Sequence, residues 1–277
     1  HQPTRPTTCP GVIALMAPLT YLEFHLLFVI PPMLLLGVLA YARGSAWSGP
    51  KPLSGLAILL VLALVYTIPW DNLLIAEGVW WYGEGATSGY IWHAPIGEYL
   101  FFVFQPIVVC LWLFQFPTIA DVSLVRIPLW KRGVGVLAGA AVSVVGYLMI
   151  GVQPLYYLGA ILFWSGPILS IHWGFGWPYL WRLRKTLLVG IAVPTLYLCT
   201  VDRLAIEWGI WVLSDLHTTG ITVLGLPIEE GAFFFMTSVF AVQTLLMYMW
   251  LLDRVERGEL SEWKLALTND TPAPDLD

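Results

Sequence analysis

Charge is what this chain has least of. Only 11% of its 277 residues are Asp, Glu, Lys or Arg, where a soluble domain carries roughly 25%. With 58% apolar residues and a mean hydropathy of +0.76, the shortage excludes a water-soluble globule and marks a polytopic membrane protein. No basic patch accompanies the net charge of −5, so no nucleic-acid partner is expected. Cysteine is scarce too. Cys9, Cys110 and Cys199 are scattered, which excludes a disulfide framework and offers no metal-ligand spacing. No G-x-G-x-x-G follows a strand and no soluble Rossmann segment is present, so neither flavin nor another cofactor is expected.

Long apolar runs are what the chain has instead. A span needs about 20 mostly apolar residues, and seven runs qualify: Leu19–Ala42, Leu56–Val79, Pro95–Phe116, Val134–Ile150, Leu155–Ile171, Leu187–Trp211 and Leu226–Trp250. Loops between them are short, which predicts an all-α integral membrane bundle. No cleavable signal peptide is expected, because the runs are of spanning length. The chain begins at His1, and Met16 is a natural start, so residues 1–15 are set apart as a candidate upstream or non-native segment. Residues 256–277 are polar and acidic and read as a disordered tail.

Lys and Arg fix the orientation. Arg43 and Lys51 lie between spans one and two, Arg126, Lys131 and Arg132 between three and four, Arg182, Arg184 and Lys185 between five and six, and Arg254, Arg257 and Lys264 after span seven. The remaining loops carry none. The positive-inside rule then places the N-terminus outside and the C-terminus in the cytoplasm of a cell-membrane protein.

The chain also repeats itself. P-I-G-E-Y-L-F-F (Pro95–Phe102) returns as P-I-E-E-G-A-F-F (Pro227–Phe234), and D-N-L-L-I-A-E-G-V-W (Asp71–Trp80) as D-R-L-A-I-E-W-G-I-W (Asp202–Trp211). A weaker echo relates Tyr21–Leu34 to Tyr156–Leu169, with Phe28 matching Phe163 and Pro32 matching Pro167. The expected architecture is two parallel three-helix repeats (19–116 and 155–250) joined by a linking helix (134–150), within a domain spanning 16–255. An odd linker keeps both halves in one orientation, related by an axis along the membrane normal.

Carboxylates inside spans are costly and mark function. Asp71, Glu98, Asp202, Glu229 and Glu230 all fall in the outer half of their spans, a coincidence of depth that outweighs any one residue. Each has a plain reading as well. An acid in the first turn after a proline is an ordinary helix start, which covers Glu98 and Glu230. Asp71 and Asp202 serve equally as polar glue between helices, with Arg203 offsetting Asp202. Glu77 and Glu207 are not repeat partners. On a helix, Glu98, Phe101, Phe102 and Gln105 share one face, as do Glu230, Phe233, Phe234 and Thr237. A carboxylate among aromatic rings handles protons and cations together. Of 15 tryptophans, Trp80, Trp81, Trp92, Trp177 and Trp181 read as an interfacial belt. Trp70, Trp208 and Trp211 sit among the acids, where they can line a pocket for an extended apolar ligand. His25 reads as an interfacial or packing residue.

The elements P-W-D-N (Pro69–Asn72), P-I-G-E-Y-L-F-F, P-I-E-E-G-A-F-F-F (Pro227–Phe235) and Y-L-E-F-H-L-L-F (Tyr21–Phe28) resemble the small membrane lycopene cyclases, over about residues 16–255. That family includes heterodimeric actinobacterial forms, fused archaeal forms and the cyclase domain of fungal bifunctional enzymes. This chain is similar to the archaeal single-chain form. It departs at Gly97, where the second copy has Glu229. The resemblance implies a non-redox isomerase that closes both ψ ends of lycopene, giving β-carotene by way of γ-carotene. It implies Glu98 and Glu230 as acid and base, with Glu229, Asp71 and Asp202 tuning or relaying protons. His25, Trp70, Phe101, Phe102, Trp208, Trp211, Phe233 and Phe234 would meet the substrate. Aromatic faces would steady the cations, and burial favours the neutral form of a carboxylic acid. The lipid bilayer and other carotenoid-pathway enzymes are the implied surroundings.

Two rivals share the outline. A three-plus-one-plus-three transporter requires a water-lined midplane site, whereas here the acids cluster in the outer half and the inner halves read as apolar. A retinal protein requires a lysine in its last span, and Leu226–Trp250 has none. A cyclase acting on another carotenoid stays open.

Overall fold

The computed structural model describes residues 17–44, 50–116 and 127–256. The segment 1–15, the tail beyond 256, and Cys9, Arg126, Arg257 and Lys264 lie outside the described residues. Seven helices are long and apolar enough to cross a membrane. They are α1 (Tyr21–Ala42), α2 (Lys51–Ala76), α3 (Ile96–Leu113), α4 (Leu129–Ile150), α5 (Tyr156–Arg182), α6 (Arg184–Glu207) and α7 (Ile228–Glu256). Several run further than hydropathy places them. α5 continues to Arg182 and α7 to Glu256, where Lys51 forms an ion pair with Glu256. α6 stops at Glu207, so Trp211 lies beyond the helix.

Six short strands occupy the α2–α3 and α6–α7 connections, which hydropathy reads as plain loops. They are β1 (Trp80–Tyr82), β2 (Tyr90–Ile91), β3 (Ala94–Pro95), β4 (Trp211–Leu213), β5 (Thr222–Val223) and β6 (Leu226–Pro227). β2–β3 and β5–β6 are tight hairpins. Their turns open on Trp92 and Leu224, non-glycine residues at φ 55° and 52°, as a two-residue primed turn demands. Each hairpin ends on a proline and runs straight into a helix, which puts Glu98 and Glu230 in the first turns of α3 and α7.

β1 pairs with β4 across the molecule, antiparallel, with Trp80 opposite Leu213, Trp81 opposite Val212 and Tyr82 opposite Trp211. The two strands stand at the same sequence offset that separates Asp71 from Asp202.

Prolines shape the bundle. Pro32 has no N–H to offer the Phe28 carbonyl one turn earlier. α1 widens there into a π turn over His25–Val29, and the Tyr197 hydroxyl of α6 donates to the freed Phe28 oxygen. A local lack in one helix thereby becomes a tie to another. α4 depends on glycine. Cβ atoms at Gly139 and Gly146 would lie 2.2 Å from the backbone nitrogens of Ser170 and Phe163 on α5, so the two helices meet backbone to backbone.

The core follows α7, whose buried face carries Phe233, Phe234, Val242, Leu245, Leu246 and Trp250. Away from the hairpins, His172 on α5 bonds Gln243 (3.2 Å) and Thr244 (3.1 Å) on α7, and Gln105 donates to Thr237 (3.3 Å). That side is therefore less apolar than the sequence suggests.

Candidate active site

Asp71 from α2, Glu98 from α3, Asp202 from α6 and Glu230 from α7 line one cavity. Asp71, Asp202 and Glu230 are buried, and Glu98 is partly buried. The walls between them are aromatic: Tyr21, Phe24, Trp70, Trp80, Tyr82, Phe101, Tyr157, Trp211, Phe233 and Phe234.

Local structure explains how each acid arrives there. In the first half, Asn72 follows Asp71, and its side-chain oxygen accepts from the backbone N–H groups of His93 (2.9 Å) and Ala94 (3.0 Å). Its amide donates to the Ile68 carbonyl and the Tyr99 hydroxyl. One side chain thus clamps the β2–β3 turn to α2 and fixes where α3 begins. In the second half, Glu229 does comparable work. It is fully buried, and its Oε1 accepts from Thr219 N–H at 2.7 Å. Glu229 therefore braces the loop before β5 and does not line the cavity.

Gly97 stands where the second copy has Glu229. A Cβ there would lie 2.5 Å from the Tyr21 ring, so Tyr21 fills the space that a side chain would take. Behind it, His25 stacks on Tyr21 at 4.7 Å, and its Nε2 meets the Gly97 carbonyl at 2.9 Å. A carbonyl only accepts, so that nitrogen carries the proton.

Tyrosines hold the two glutamates. The Tyr82 hydroxyl donates to Glu98 Oε2 at 3.0 Å, and the Trp80 indole N–H donates to Tyr82 at 3.2 Å. Tyr21 lines the same stretch of wall as Glu98. On the other side, Tyr157 donates to Glu230 Oε1 at 2.9 Å. The Trp80 ring packs on Tyr157, 5.5 Å between centroids. Burial first, and then the negative field of Glu98, raises the Tyr82 phenol well above its ordinary pKa, so Tyr82 stays a donor at any working pH. Trp211 lines the cavity beside Asp202. Asp71 and Asp202 each keep one buried oxygen with no hydrogen-bond partner among the described residues.

The remaining expected contacts divide. Trp70, Trp211, Phe101, Phe233 and Phe234 line the cavity. Phe102 is buried edge-on to Phe101, Trp208 packs on Phe28, and His25 lies behind Tyr21. Arg203 is exposed and lies against the Gly225 turn, with no ion pair to Asp202 among the described residues. Trp80, expected in an interfacial belt, is buried in the wall instead.

Sequence reasoning missed Tyr21, Tyr82 and Tyr157. Repeat alignment came near one of them: Tyr21 matches Tyr156, one position short of Tyr157. Nothing marked Tyr82, which stands in a connection whose strand pairing is not local.

Comparison with known proteins agrees with this picture. The lycopene cyclase family model matches residues 19–117 and 153–249. A lycopene beta-cyclase of Halobacterium salinarum is 48% identical over 237 residues, covering 85% of this chain and 98% of that protein. A bifunctional lycopene cyclase/phytoene synthase of Leptosphaeria maculans is 35% identical over 80% of this chain and 40% of its own length. One of Gibberella fujikuroi is 31% identical over 80% of this chain and 39% of its own length. No solved structure matches. With most of its length accounted for in this way, the chain belongs to the lycopene cyclase family.

Proposed function

We propose that this membrane enzyme is a lycopene β-cyclase, an isomerase that closes the ψ ends of lycopene without redox change. The observation that carries the reading is the meeting of four carboxyl groups, two from each half of the chain, in one aromatic cavity. A carboxylic acid gives a proton to C2 of the end group, leaving a tertiary cation at C1. The C5=C6 double bond attacks C1, closing the ring and moving the cation to C5. A carboxylate then removes the C6 proton and C5=C6 re-forms. One proton enters and one leaves, so no electrons are exchanged.

Glu98 and Glu230 are the acid and base candidates, with Asp71 and Asp202 relaying protons and Glu229 positioning. The faces of Trp70, Trp211, Phe101, Phe233 and Phe234 supply cation–π stabilisation, worth about 2 kcal/mol when desolvated. Lycopene's two ends lie far apart on a stiff polyene, so one cavity takes them in turn and γ-carotene is the intermediate. The two-fold reading of the repeat is supported by β1 and β4, equivalent strands paired antiparallel. The hairpin side is placed outward, with the N-terminus outside and the C-terminus cytoplasmic, on the strength of the Lys and Arg distribution alone.

The test is expression in a bacterium that accumulates lycopene, with pigments separated by chromatography. β-Carotene should replace lycopene, and Glu98→Gln and Glu230→Gln should each cut its formation by about 100-fold or more. Unchanged lycopene, with the protein folded in the membrane, refutes the assignment.

A further inference from the structure

The cation at C5 has three ways to lose a proton. Loss from C6 gives the β ring, loss from C4 the ε ring, and loss from the methyl on C5 the γ ring. The three products have the same atoms and differ only in where the double bond settles. These hydrogens lie within a few bond lengths of one another, so ring type depends on where the accepting oxygen is held. A carboxylate on a glutamate side chain swings freely unless something ties it down.

The structure provides such ties. Glu98 is held by Tyr82 at 3.0 Å, and Tyr82 is itself held by the Trp80 indole at 3.2 Å. Glu230 is held by Tyr157 at 2.9 Å. Trp80 serves both sides, because its N–H reaches Tyr82 while its ring packs on Tyr157. Trp80 and Tyr82 belong to β1, whose register is set by β4 of the other half. The chain runs from strand pairing through Trp80 to two phenols and then to two carboxyl groups, all on the wall of one cavity.

We propose that Tyr82 and Tyr157 are positioning residues that set ring type: by fixing Glu98 and Glu230 they direct proton loss to C6 rather than to C4 or the C5 methyl. The proposal rests on the cyclase reading and deepens it. A hydrogen bond to a charged group contributes enough that losing it changes a competition between neighbouring carbons by about tenfold.

The experiment compares the wild-type chain with Tyr82→Phe, Tyr157→Phe and Trp80→Phe in lycopene-accumulating cells. Membrane-inserted protein is quantified for each, and pigments are resolved by chromatography and absorption spectrum. ε and γ rings take their double bond out of conjugation and absorb at shorter wavelength. Tyr82→Phe and Tyr157→Phe should still close rings, with the preference for C6 lowered about tenfold and ε or γ rings appearing. Trp80→Phe keeps a ring against Tyr157 and removes only the N–H to Tyr82, so it should shift ring type less than Tyr82→Phe. Only β rings from both tyrosine variants, at whatever rate, overturns the proposal. So does complete loss of cyclisation in variants inserted at wild-type level, since the hydroxyls would then be needed to form the cation and not to direct its collapse. A wild-type chain that closes no ring is a separate result and removes the cyclase reading itself.

Discussion

Gly97 offers a sharp test of how the first half of the site is built. In Gly97→Ala the new Cβ would stand 2.5, 2.7 and 3.1 Å from the Tyr21 Cδ1, Cγ and Cβ atoms. Tyr21 has little room to retreat. It is 3% exposed and its ring is bounded by His25 at 4.7 Å and Trp211 at 5.0 Å. Forcing a methyl group into a filled core costs about 1–3 kcal/mol. Alanine regains about 0.5–1 kcal/mol over glycine within a helix, which leaves a net loss on the order of 1 kcal/mol. Gly231 is the internal control, for it sits in the first turns of α7, and a methyl group there would meet nothing within 4 Å. Gly231→Ala should therefore gain about 0.5–1 kcal/mol. Thermal unfolding of the detergent-solubilised protein should show the two melting points moving in opposite directions. Gly97→Ala should also lower pigment conversion, because Tyr21, part of the cavity wall, is displaced. A Gly97→Ala protein that melts higher, as Gly231→Ala is expected to, would falsify the claim that Tyr21 is wedged against this backbone.

Three further outcomes are expected. Tyr197→Phe leaves the Phe28 carbonyl without its donor and should cost about 1–3 kcal/mol, read as a lower melting point. Asn72→Ala strips the acceptor from two backbone N–H groups. It should loosen the β2–β3 turn and speed amide exchange at His93 and Ala94, while slowing cyclisation through the displaced start of α3. Gly146→Leu drives a side chain into the α5 backbone, where a Cβ already lies 2.2 Å from Phe163 N. It should lose at least about 3 kcal/mol, with reduced accumulation in membranes as the readout.

The seven crossings are legible in the sequence because lipid imposes a length and polarity rule that each segment obeys alone. The four acids of the cavity are legible because carboxylates are rare in spans and these recur at matched positions. The partners that hold them are not. Tyr82 reaches its place through β1–β4 pairing, a contact between distant parts of the chain. Tyrosine is common near membrane interfaces, so Tyr157 carries no signal of its own. Trp80 is misread for the same reason: belt and wall tryptophans look alike until the backbone brings one inward. Glu229 groups with its neighbour because adjacent acids look equivalent in sequence. On a helix they point about 100° apart, which sends Glu230 to the cavity and Glu229 to the Thr219 loop.

The placement of α4 has a bearing on how such a protein is put together. This helix rests against α5, while α3 and α7 pack on each other and β1 and β4 clasp directly. α4 is thus a strap and not a beam. Cut within the connection between Phe116 and Leu129, the chain would give two fragments that still carry complementary faces and matching strand edges. Each fragment alone would hold two of the four acids and an open wall. Reunited, they would close the cavity without the covalent link, so a working site would report that two separately made pieces had found one another.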